Sequence, residues 1–422
     1  MSENIHITDL AEPELSELQK SIHAYGETLQ VSFDASEILE EAKNEVSLED
    51  FGPLDFLERL ELLCDEWGSD PGLNNLGRMS LRNKLLLFAR SRLLIQDLLI
   101  RHPEIHDVPI RAPIIVAGLP RSGTTHLLNL MAADSRLRAL PLWESYEPVP
   151  LPNETAPEDG TDPRYQRCAD AWEMMQQALP NIAAMHPMNP DHIHEELELM
   201  GPDFASYNFE WLCQCPRWRD HYYASDQTPH YEYMKTVLKI LTWQDGDDGS
   251  NTRWVLKCPQ HLEQLTVLHK VFPDAIIAVT HRDPVSVIQS ATTMIAYGQR
   301  MSRNTIDLKS ITDYWSDRVV HLLEACARDR GKLPASQSID VPFHEFMADD
   351  IATVKKIYAM ADLPMTEQAA TELQRFINDH PRGKHGRVVY KLKEDFEVDP
   401  DELRKRFDFY FRQFPVQAET KS

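Results

Sequence analysis

The chain has 422 residues, 42% of them hydrophobic, enough to bury a large core and too many for a disordered chain. With 67 acidic and 43 basic residues, the net charge of −24 argues against nucleic acid or an anionic membrane as partner. The six cysteines, at 64, 168, 213, 215, 258 and 326, are sparse and the start Met1–Leu10 is polar, which fits free thiols, no leader and a cytoplasmic location.

Residues 1–110 read as a helical N-terminal extension, because Pro53–Trp67 and Leu81–Arg101 carry apolar residues at three-to-four spacing. The most apolar run, Lys84–Ile100, is interrupted by Arg90, Arg92, Gln96 and Asp97, so it reads as an amphipathic helix and not a transmembrane segment. Nothing in this segment suggests catalysis. A cap on the main domain is the expectation, with oligomer contacts or shaping of an acceptor site as the alternative.

The main domain is expected over 111–422. The β-branched run Pro113–Ala117 reads as a buried parallel strand, followed by a glycine loop and a helix at His126–Ala133. Pro148–Asp162 reads as a surface loop, and about 163–245 as a helical insertion rich in aromatics. The aromatics of 204–233 fit ordinary core better than an apolar acceptor pocket, because their spacing is helical. Strands are expected at Arg253–Leu256, Ala275–Thr280 and Ser338–Pro342, with helices at His261–Phe272 and after Pro284. This alternation predicts an α/β fold: a P-loop-like three-layer domain with a central parallel sheet.

The loop Gly118-Leu-Pro-Arg-Ser-Gly-Thr-Thr125 carries the functional reading. Its glycines permit a tight turn and close backbone approach to an anion. The amides of Ser122, Gly123, Thr124 and Thr125 would face a phosphate at a helix N-terminus. A nucleoside-triphosphatase loop needs lysine after its second glycine, and here that residue is Thr124; the cation is Arg121, inside the loop. The metal-binding aspartate that Mg-ATP requires has only Asp283, between Arg282 and Pro284, as a weak candidate.

Leu119–Thr125 resembles the 5′-phosphosulfate loop of sulfotransferases that use 3′-phosphoadenosine 5′-phosphosulfate (PAPS). The arginine resembles the tyrosylprotein and bacterial branches. Three later segments agree, in the family's order. Lys257-Cys-Pro-Gln-His261 resembles the strand end that supplies a catalytic lysine and, in some branches, a histidine. His281-Arg-Asp-Pro284 with Ser290 resembles the 3′-phosphate site, which implies Arg282 and Ser290 as ligands. Arg382–Tyr390 resembles the basic loop that closes over the nucleotide, which implies Lys384 or Arg387. The resemblance spans about 111–412. It implies a PAPS-dependent sulfotransferase acting on a hydroxyl or amine of a small-molecule or lipid-like acceptor, with PAPS as cosubstrate.

Sulfuryl transfer needs positioning, stabilised charge and a base for the acceptor, and cations can supply the charge stabilisation without a metal. Arg121 and Lys257 are the expected cations. Glu144, beside Trp143, and His261 compete as the base, with Glu144 slightly ahead because it matches a glutamate of the tyrosylprotein branch. The cluster His192, His194, Glu195 and Glu196 lacks further metal-ligand spacing and reads as a helix start facing the acceptor pocket, with most of its side chains solvated or capping. Cys213 and Cys215 lack the paired clusters of a zinc ribbon, so no metal is expected. A nucleotide kinase or triphosphatase, and a non-catalytic nucleotide-binding protein, are the alternatives. The sequence leaves homo-oligomerisation and the acceptor open.

Overall fold

A computed structural model describes residues 4–152, 154–155 and 157–419. A two-residue strand β1 (Asn4–Ile5) opens the chain. The central strands are β2 (Ile114–Gly118), β3 (Val255–Cys258), β4 (Ile276–His281) and β5 (Ser338–Pro342), all parallel in the order β3-β2-β4-β5. A last short strand, β6 (Arg387–Val388), pairs with β1 in a separate parallel ribbon.

The strands are apolar throughout because both faces of the sheet are covered. Along β2 the side chains alternate. Ile114 and Val116 pack with the helices Thr124–Ala132 and Asp350–Met360, while Ile115 and Ala117 join a larger core on the opposite face. That larger core also takes in Phe56, Leu60, Leu85 and Phe88 of the N-terminal helices and Phe204, Phe209 and Trp218 of the segment 163–245. The fold is therefore a three-layer α/β domain with a central parallel sheet, as the alternating pattern predicts.

The four helices Glu17–Glu27, Ala35–Val46, Leu57–Ser69 and Asn75–Arg101 bind the rest through buried charge as well as apolar contact. Asp203 is 4% exposed and accepts from Arg59 at 3.1 Å, Arg92 at 3.0 Å and His230 at 2.5 Å. Burial acts to raise its carboxyl, yet three donors around one carboxylate hold it below the usual range. Most of the aromatics of 204–233 are core: Tyr207, Phe209, Trp218, Tyr222 and Tyr231 are all buried. The six cysteines are buried and unpaired with one another. Among the described residues no helix is long and apolar enough to cross a membrane.

Candidate active site

The loop after β2 turns through two left-handed residues, Arg121 at φ 64° and Gly123 at φ 84°. Gly123 caps the helix Thr124–Ala132, whose first amides lack intrahelical acceptors, so the loop presents N–H groups at a helix N-terminus. A Cβ on Gly118 would lie 1.9 Å from Thr280 Oγ1, so only glycine lets β2 and β4 close beneath the loop. Ser122 is turned inward. Its hydroxyl donates to Leu119 O at 2.5 Å and pairs with Thr280 Oγ1 at 2.9 Å, while its amide donates to Leu119 O at 3.3 Å. Ser122 therefore shapes the loop, contrary to the expected anion contact. Gly123, Thr124 and Thr125 stand at the helix N-terminus.

The Arg121 carbonyl accepts from Arg282 Nη1 at 2.6 Å. Its guanidinium donates to Ser290 Oγ at 2.9 Å and Met185 O at 2.5 Å, with Tyr390 OH 3.5 Å away. The loop arginine and the Arg282–Ser290 pair, more than 160 residues apart, thus meet in one cluster. Asp283 caps the helix Pro284–Gln299 by accepting from Val285 N at 3.0 Å, with Pro284 at the first helical position. Arg282 stacks over the Phe343 ring at 3.9 Å and pairs with Glu419 at 2.7 Å.

Lys257 emerges at the carboxyl end of β3, beside the loop, where open parallel sheets bind ligands. It is 1% exposed, reaches Thr125 Oγ1 at 3.3 Å and forms an ion pair with Glu195. Around this pair stand His186, His192 and His194, with ring centroids 5.8–6.3 Å apart. Burial and then Lys257 push the His192 imidazole down to about 4; burial first, and then the neighbouring histidines, hold the His186 and His194 imidazoles well below the usual range. Three neutral imidazoles therefore flank one lysine. Glu196, behind Glu195, is fully buried, and burial raises its carboxyl to about 8. The expectation that this cluster is solvated or capping is overturned. It is buried because Leu142 N donates to His192 O at 2.9 Å and His194 N donates to Leu140 O at 2.7 Å, drawing the segment against the sheet.

The two sequence candidates for the base are placed elsewhere. Glu144 pairs with Arg138 at 2.7 Å, and Arg138 also binds Asp245 at 2.9 Å. Arg138 bridges to Trp254, just before β3, so Glu144 belongs to an ion-pair network with Arg138 and Asp245. The Trp143 ring faces Arg164 at 4.7 Å. His261 is fully buried and binds Tyr231 OH through Nδ1 at 2.9 Å, and burial holds its imidazole at about 3. Its neighbour Gln260 holds the turn at 205–207, accepting from Tyr207 N at 2.9 Å and donating to Ala205 O at 3.2 Å.

Lys384 and Arg387 are exposed, and the Lys384 ammonium lies 3.5 Å from Asp379 O. Tyr390, at the end of the same segment, is the residue that reaches Arg121. Among the described residues no group of three or more His, Cys, Asp or Glu is arranged to hold a metal ion. The arrangement gathers Arg121, Arg282 and Lys257 at the loop that opens the helix Thr124–Ala132 and sets a carboxylate against the buried lysine.

Residues 113–367 match the Sulfotransferase family. No curated protein matches the sequence. The fold resembles the sulfotransferase STF1 of Mycobacterium tuberculosis H37Rv, with 27% identity, a TM-score of 0.76, and 89% of this chain and 98% of that chain covered. It also resembles the sulfotransferase STF9 of Mycobacterium avium, with 24% identity, a TM-score of 0.80, and 93% and 99% covered. With the family match over more than half its length and a fold shared with solved sulfotransferases, the chain belongs to the sulfotransferase family and is a sulfotransferase.

Proposed function

We propose that the donor is PAPS, that the acceptor is a small molecule bearing a hydroxyl or amine, and that Glu195 is the base. The observation that carries this reading is Lys257, buried at the end of β3 between Thr125 of the anion loop and the Glu195 carboxylate. The residues fit the donor: the loop closes only with glycine at position 118, and Arg121, Lys257 and Arg282 surround it on an otherwise acidic chain. The donor supplies the sulfuryl group.

Arg121 and the amides of Gly123, Thr124 and Thr125 hold the 5′ end of the donor. Arg282 and Ser290 hold the 3′-phosphate, and Tyr390 closes against Arg121. Charge-assisted hydrogen bonds of this kind contribute ~1.5–3 kcal/mol each. Glu195 takes the acceptor's proton at its carboxylate. Proton uptake ends its hold on the Lys257 ammonium, leaving that positive charge uncompensated beside Thr125, where negative charge develops. The neutral imidazoles of His186, His192 and His194 flank the lysine without adding charge, which suits an uncharged acceptor group.

The test is a thermal-shift titration with 3′,5′-bisphosphoadenosine beside Mg-ATP, followed by turnover of Glu195→Gln and Glu144→Gln. A ligand at 100 times its dissociation constant stabilises by ~2.7 kcal/mol. Stabilisation by the bisphosphate alone, with turnover lost in Glu195→Gln and retained in Glu144→Gln, is the expected outcome. Stabilisation only by Mg-ATP would overturn the donor, and a fully active Glu195→Gln would overturn the base.

A further inference from the structure

The Arg282 guanidinium already carries an anion from its own chain. Its Nε donates to Glu419 Oε1 at 2.9 Å and its Nη2 to Glu419 Oε2 at 2.7 Å, a two-pronged pairing. The same fork geometry that suits a carboxylate suits a phosphate. The remaining terminal nitrogen, Nη1, is spent on Arg121 O at 2.6 Å, and the flat face rests on Phe343. The tail is held by its backbone too, since Glu419 N donates to Asp283 Oδ2 at 2.8 Å. The pair is only partly covered, with side-chain exposures of 22% for Arg282 and 32% for Glu419, so it can exchange with a ligand from solvent.

We infer that Glu419 is an intramolecular stand-in for the donor's 3′-phosphate, and that the irregular segment 415–419 is an autoinhibitory strap that the donor must displace. This rests on the assignment of Arg282 to the 3′-phosphate. The edge of Arg282 that would grip a phosphate is the edge Glu419 occupies, so one anion excludes the other. The apparent dissociation constant of the donor is then its intrinsic value divided by the fraction of molecules with the strap open. Partly exposed ion pairs favour their closed form by roughly one- to fourfold, so the strap is open in about a half to a fifth of the molecules and its removal should tighten binding about two- to fivefold.

Affinity for 3′,5′-bisphosphoadenosine would be measured by titration calorimetry at one fixed ionic strength for the wild type, Glu419→Ala, Glu419→Gln and Arg282→Ala. Exchange of the Glu419 amide would be followed with and without the bisphosphate. The expected result is two- to fivefold tighter binding in both Glu419 variants, at least tenfold weaker binding in Arg282→Ala, and faster amide exchange in the wild type on saturation. Unchanged or weaker binding in the Glu419 variants, or unaltered exchange at Glu419, overturns the strap while a weakened Arg282→Ala leaves the donor site standing. Wild-type affinity in Arg282→Ala overturns the donor-site assignment and the strap with it.

Discussion

Replacing Lys257 by methionine keeps the length of the side chain and deletes its charge. The side chains of Lys257 and Glu195 are 1% and 11% exposed, so the substitution leaves a nearly buried carboxylate without its partner. Breaking such a pair from one side costs about 3–5 kcal/mol of stability. If the ammonium also stabilises charge in the transition state, its loss should lower kcat by ~10²–10³, the effect of removing one preorganised donor. Ground-state donor binding should suffer much less, roughly tenfold at most, because the lysine touches the anion loop only through Thr125 Oγ1 at 3.3 Å. Steady-state turnover and calorimetric binding of 3′,5′-bisphosphoadenosine separate the two effects, and thermal melting reports the stability loss. The double variant Lys257→Met/Glu195→Gln removes the orphaned carboxylate and should recover stability without recovering turnover. A folded Lys257→Met enzyme with kcat within tenfold of wild type, or with donor affinity falling as far as kcat, would refute the assignment.

Gly118→Ala forces a Cβ to within 1.9 Å of Thr280 Oγ1, so overpacking should lower stability by ~1–3 kcal/mol and weaken bisphosphate binding; an unshifted melting curve would count against the tight loop. Glu196 keeps its proton up to about 8 when folded but has an ordinary value of 4.5, so between those limits the folded state binds more protons and stability falls as pH rises. Glu196→Gln should remove up to ~1.4 kcal/mol of that loss per pH unit, making its stability advantage over wild type grow from pH 5 to pH 8; a constant difference would be contrary evidence. Arg318 is 1% exposed and binds the buried carboxylates of Glu210 and Glu263 at 2.5 and 2.7 Å, so Arg318→Met should cost about 3–5 kcal/mol by denaturant unfolding, and a silent substitution would disprove the role of this triad.

The features legible in the sequence lie in short stretches whose meaning is local. The run before Gly118 is strand because β-branched residues covered on both faces leave no other use for it, and β2 begins and ends within one residue of the expected bounds. Pro284 starts a helix because its ring forbids a position further inside one, and Asp283 caps that helix two residues from Val285. The loop Gly118–Thr125 could be recognised because its glycines answer to backbone conformation, which neighbours along the chain set. The proposed base could not be read in this way. Glu144, Glu195 and Glu196 are chemically alike along the chain, and their differences come from partners far away: Arg138 and Asp245 for the first, Lys257 for the second, and burial for the third. The run His192-Ile-His-Glu-Glu196 looks like a solvated face until Leu140 and Leu142 bind its backbone and turn it toward β3. Likewise, Arg382–Tyr390 is identifiable as a basic segment, but Tyr390 and not its lysine reaches Arg121, because β6 pairs with β1 and so fixes the path of the chain into Tyr390. Local sequence determined the strands, the caps and the anion loop. Which charge faces which depended on long-range packing, because burial and charge pairing act through distances in space that spacing along the chain does not encode.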